Sequence, residues 1–137
     1  MEYPTQIDCA WLATDACGRL AAMITAGEGP IPAAVLESRI DVTDIEGKLL
    51  DLPIMGDAMD VANVPNPSSF IDLSRRGFYV YDWTDVHRPS SQALGAYELV
   101  ASPSVSIRLE DLPADLQELP SRIKSIDAIG GAHLEIR

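Results

Sequence analysis

Apolar and polar positions alternate over Ile7–Thr14, where Cys9, Trp11 and Ala13 interleave with Ala10, Leu12 and Thr14. A second apolar run, Arg19–Thr25, follows across Asp15-Ala16-Cys17-Gly18. Asp accepts a hydrogen bond at the opening of a turn and Gly takes positive φ at its close, so the two runs predict a β-hairpin. Leu20–Ile24 is apolar on both faces, as a central strand would be, although periodicity alone leaves a helix open. Ala26–Pro32 reads as a rigid turn: it has no GxxxxGK[ST] pattern and carries Glu28, which argues against a phosphate cradle.

The period then changes to that of a helix. Val42, Ile45, Leu49 and Leu52 recur at helical spacing behind Thr43-Asp44-Ile45-Glu46, which predicts a capping box, and Pro53 ends the segment. Met55–Pro65 shows no period and reads as irregular. Asn66-Pro67 predicts the start of another helix, with Asn as cap, Phe70, Ile71 and Leu73 on the core side, Arg75 and Arg76 in the last turn, and Gly77 as terminator. Phe78–Trp83 is the clearest strand. Ser90–Leu94 predicts a short helical turn closed by Gly95. Tyr97–Ala101 and Val105–Leu109 read as a second strand pair joined at Ser102-Pro103-Ser104, Leu112–Leu119 as a short helix stopped by Pro120, and His133–Ile136 as a terminal strand. Ile123, Ile126 and Ile129 stand three apart before Gly130-Gly131 breaks the spacing. This order predicts a single α+β domain over 1–137, with a largely antiparallel sheet and three or so short helices.

Charge narrows the functions. The 137 residues contain 21 acids and 10 bases, a formal charge of −11. Such a chain repels nucleic acid and anionic lipid and attracts a basic protein. Eight of the ten bases are Arg; only Lys48 and Lys124 are Lys. Asp41, Asp44, Glu46, Asp51, Asp57 and Asp60 face one base, Lys48, across 41–60. The plain meaning is a solvated face; the sharper one is a docking surface for a cationic protein. No apolar run approaches the roughly 18 residues of a membrane span. The N-terminal residues lack the basic start and apolar core of a secretory signal, so a cytoplasmic location with reduced thiols is expected. Cys9 and Cys17 have no metal-binding spacing; a bridge between them across the hairpin is geometrically open but not expected.

The densest polar cluster is Tyr81-Asp82-Trp83-Thr84-Asp85-Val86-His87-Arg88. Asp82, Asp85 and His87 have the chemistry of metal ligands, or of a base and its orienter. Against this, Asp85 also suits a turn cap, Trp83 packing, and His87 and Arg88 local carboxylate pairing. The only other histidine is His133. No GxSxG elbow occurs, Ser68-Ser69 and Ser90-Ser91 look like helix starts, and Arg19 is the one candidate cation beside Cys17. No catalytic residue, metal ligand or cofactor is assigned. Trp83, at the end of a bulky strand, is the aromatic best placed for partial exposure.

Two segments carry a resemblance. Asp8–Asp15 with Gly18 through Ile31-Pro32, and Phe70–Leu73 with Arg76–Arg88, resemble a family of small uncharacterised bacterial proteins. That family brings no established activity or residue set. In size and acidity the chain is also similar to immunity proteins that protect bacteria from polymorphic toxins. The reading that follows is a non-catalytic protein-binding module, in its most concrete form an immunity-type protein neutralising a cationic partner. Its candidate contacts are Asp44, Asp51, Asp57, Asp60, Trp83, Asp85, His87 and Arg88. The alternatives are a homo-oligomeric structural domain built on the aromatic strand, and a small enzyme, metal-assisted or not, using the Tyr81–Arg88 loop.

Overall fold

The computed structural model describes residues 6–123 and 129–136. The predicted hairpin is present: β1 (Ala10–Thr14) pairs antiparallel with β2 (Leu20–Ile24), Leu12 opposite Ala22. The Asp15 carboxylate accepts the N–H groups of Cys17 and Arg19 at 2.9 and 3.1 Å, and Gly18 takes φ +80°. Side-chain acceptor and left-handed glycine together make this turn locally encoded.

Short helix α1 (Ala33–Leu36) follows, then α2 (Val42–Leu50). Helix α2 begins one residue before Thr43, and its cap is Asp41, whose carboxylate accepts the Thr43 N–H at 3.0 Å. This corrects the capping-box expectation. Starting at Val42 puts Val42, Ile45 and Leu49 on one fully buried stripe.

The stretch expected to be irregular contains β3 (Ala58–Asp60). Helix α3 (Ser68–Ser74) starts after Pro67, without a side-chain cap. Asn66 is spent instead as a left-handed turn residue at φ 53°, a conformation Asn tolerates better than most. Arg75 and Arg76 accordingly fall just past the helix.

Strand β4 (Tyr79–Asp82) runs parallel to β2, and β5 (Tyr97–Pro103) runs antiparallel to β4 with a register shift between Val80 and Tyr81. β6 (Ser121–Arg122) adds parallel to β1, and β7 (His133–Leu134) antiparallel to β5. The order is β3-β5-β4-β2-β1-β6, with β7 also on β5. The fold is α+β, as expected, but the sheet is mixed, because β1·β6 and β2·β4 are parallel.

Two expected elements do not form. After Pro103 the chain leaves the sheet, so Val105–Leu109 is no hairpin partner of β5. Ile107 instead donates to the Gly77 carbonyl at 3.1 Å, and a Cβ on Gly77 would lie 2.7 Å from Ile107 Cγ2. Leu112–Leu119 is a chain of turns in which Leu116 donates to Pro113 and Leu119 to Leu116. Only six residues separate Pro113 from Pro120, and Pro120 disfavours helical backbone at Leu119 before it. Leu112, Leu116 and Leu119 are nonetheless buried, so their spacing did report the core. Ile126 lies outside the described residues.

α2 packs on β1, and α3 on β3, β4 and β5. Trp11 is wholly buried, donates to the Tyr97 hydroxyl at 3.2 Å and meets that ring edge-on at 5.9 Å. Tyr97 in turn donates to the Pro30 carbonyl at 2.9 Å, which ties the 26–32 turn to the core.

Candidate functional site

The end of β4 organises the Tyr81–Arg88 segment. Asp82 sits beside Ile24 of β2 and Glu98 of β5. Burial, with the Asp8 charge adding to it, pushes its carboxyl up to about 6. Beyond it, Thr84–His87 forms a 3-10 turn. Asp85 faces the other way: its two oxygens accept the N–H groups of Leu94 and Gly95 at 2.7 and 2.8 Å. The Leu94 bond is the main reason its acidity is strengthened, with Gly95 and Arg88 assisting. Arg88 bonds Glu98 at 3.0 Å and the Thr84 hydroxyl, and lies 3.6 Å from Asp85. Thr84 itself donates to Glu98 at 2.9 Å. Trp83 is half-buried and meets Tyr97 edge-on at 5.1 Å. His87 is exposed.

The three groups of most chemical interest are thus divided. Asp85 caps the 94–95 backbone, Asp82 is buried at the strand end, and His87 is at the surface. No group of three or more His, Cys, Asp or Glu among the described residues is arranged to hold a metal. Both cysteines are free: Cys9 is buried with its thiol 3.7 Å from the Thr25 hydroxyl, and Cys17 is exposed on the turn. Burial raises the Cys9 pKa, while Arg19, the expected cation near Cys17, donates to the Ile129 carbonyl at 2.9 Å.

The acidic stretch 41–60 is organised differently. Asp44 and Asp51 are exposed on and just beyond α2, and Asp57 is exposed where the backbones of Asp57 and Ser104 join at 3.0 Å. Asp60 is half-buried and accepts the Asn63 N–H at 3.1 Å. Between these acids lie large apolar side chains facing solvent: Leu50, Ile54, Met55, Met59 and Val61, with Ile54 60% and Met59 67% exposed. Val105 joins them across Gly56, where an added Cβ would meet it at 3.2 Å. Met55 and Val105 also line an apolar groove of about 480 Å³ with Leu52, Pro53 and Leu112, and with Arg76 at its side.

The acids of this face were legible in the sequence, but its apolar members were missed. The available signal was Ile54-Met55 and Met59, large apolar residues inside a stretch with no period. Among the described residues no helix is long and apolar enough to cross a membrane. Comparison with known proteins gives no match: no family model, curated protein or solved structure aligns with this chain.

Proposed function

We propose that the chain is a non-catalytic protein-binding module that docks a cationic, amphipathic protein segment on the Leu50–Val61 run and Val105. One observation carries the reading. Six of the eight large apolar side chains left exposed among the described residues are Leu50, Ile54, Met55, Met59, Val61 and Val105. A contiguous exposed apolar patch rimmed by polar groups is the usual character of an interaction surface. Asp51, Asp57 and Asp60 set the sign of the partner, and the −11 charge of the chain would steer a basic protein toward it. Neutralising a basic toxin, as an immunity protein does, is the concrete form of this function, supported by the acidity and size of the chain. A second copy fits less well, since pairing β3 with its own equivalent would set Asp57 and Asp60 against like charges, a standard device against edge pairing.

The test is a backbone-amide NMR titration with a synthetic Lys/Leu amphipathic helix, with oligolysine of equal charge as control. The amphipathic peptide should shift residues 50–61 and 104–106, more strongly than oligolysine, with affinity falling as salt rises. Shifts spread evenly over remote acids such as Glu28, Glu37 and Asp115, and equal for the two probes, would sink the reading. Sedimentation showing a dimer that buries Met59 would replace the foreign partner with a second copy.

A further inference from the structure

On another part of the sheet the charge pattern reverses. Arg19 enters β2, Tyr79 lies beside Ala21 of that strand, and Ser102 belongs to β5, where Val80 of β4 meets Ala101. These side chains, with His133 and the backbone of Ile129–Ala132, line an open cleft of about 740 Å³ that, among the described residues, has no Asp or Glu in its lining. That is notable in a chain with 21 acids. The Arg19 guanidinium makes one hydrogen bond, to the Ile129 carbonyl at 2.9 Å, and no carboxylate lies within ion-pair distance among the described residues. The nearby Asp15 carboxylate is engaged by the N–H groups of Cys17, Arg19 and Ile129. The Tyr79 hydroxyl has no hydrogen-bond partner among the described residues. A Cβ placed on Gly130 would meet Tyr79 at 3.4 Å and Arg19 Nη1 at 3.8 Å, so these groups converge on one point.

We propose that this cleft binds a small organic anion through a carboxylate or phosphate group, held by the free Arg19 N–H groups and the Tyr79 and Ser102 hydroxyls. Arginine presents a planar fork of donors matched to either oxyanion, and charge-assisted bonds of this kind are the stronger class. The net charge of the chain opposes an anion at long range, but screening over about 8 Å at physiological ionic strength leaves the local donors to decide. That no described residue of the lining is an acid favours this: one carboxylate beside Arg19 would occupy the fork. The cleft borders the docking surface, because Ser102 is the β5 partner of Met59 in β3, but it draws on different donors, Arg19 and Tyr79.

Titration of the full chain with inorganic phosphate and, separately, with acetate and succinate at constant ionic strength tests the proposal. Saturable amide shifts confined to Ser102 and 129–133 are expected with at least one anion. Phosphate alone would define a phosphate-type ligand, and the carboxylates alone a carboxylate-type one. Arg19→Gln should weaken binding about tenfold or more. Because Arg19 also holds the Ile129 carbonyl, Ser102→Asp is the second variant. It leaves that bond in place and puts a carboxylate into the cleft, and it should abolish binding with the spectrum otherwise unchanged. No saturable shift with any of the three anions overturns the proposal, as does undiminished binding in Ser102→Asp.

Discussion

The two acid-rich stretches of this chain behave in opposite ways. Around Tyr81–Arg88 two charged groups are engaged internally: Asp85 by two amides, and Arg88 by Glu98 and Thr84. Along 50–61 the acids Asp51 and Asp57 face solvent beside exposed Ile54 and Met59. Residue types alone make the first look like a reactive centre and the second like a solvated face. Hydrogen bonding and exposure reverse that impression, because a carboxylate already bonded to backbone does structural work, whereas free acids beside bare apolar surface can serve a partner.

The contrast is open to direct attack. The largest expected effect is at Asp82. Its folded pKa of about 6 lies above the 3.8 of an ordinary Asp, so folding favours the protonated form. Its contribution is present in full below the lower value and is lost as pH rises through the higher one. Asp82→Asn should therefore raise stability at pH 7 by about 3 kcal/mol and have no effect near pH 3. Urea denaturation at both pH values measures this, and an equal effect at both would show that proton uptake is not the cause. Next comes Asp85→Ala, which strips the Leu94 and Gly95 amides of their acceptor and should cost about 1–2 kcal/mol. A cost no greater than that of Asp57→Ala would erase the distinction between the two stretches. Smallest in stability is the double variant Ile54→Ser with Met59→Ser, expected to change unfolding by no more than about 0.5 kcal/mol. Its effect should appear in binding, with loss of most of the affinity for the amphipathic cationic peptide in calorimetry. Unchanged affinity would remove the apolar part of the docking surface and leave only charge.

Elements with their own local chemistry were legible. Asp15 and Gly18 encode the first turn, the Val42–Ile45–Leu49 stripe encodes α2, and Phe78–Trp83 announces β4, which spans Tyr79–Asp82. Strand β3 was not legible, since three residues carry no period and Ala58–Asp60 is extended because β5 supplies its ladder. The same partner explains the missing hairpin: β5 is already paired with β4, β3 and β7, so Val105–Leu109 has no free edge beside it. For the candidate site, Asp44, Asp51, Asp57 and Asp60 could be named from charge alone. Ile54, Met59 and Val105 could not, because an apolar residue in an irregular stretch is as readily buried as exposed.

Sequence by itself determined the α+β class, the turn at Asp15–Gly18, the core stripe of α2 and the acidic sign of the surface, all properties set by neighbours a few residues apart or by composition. Tertiary structure alone decided which strands run parallel, which carboxylates are consumed by backbone amides, and which apolar and cationic side chains remain open to solvent. Those outcomes depend on contacts between residues far apart in the chain, such as Arg19 with Ile129 or Gly56 with Val105, and no local pattern records them.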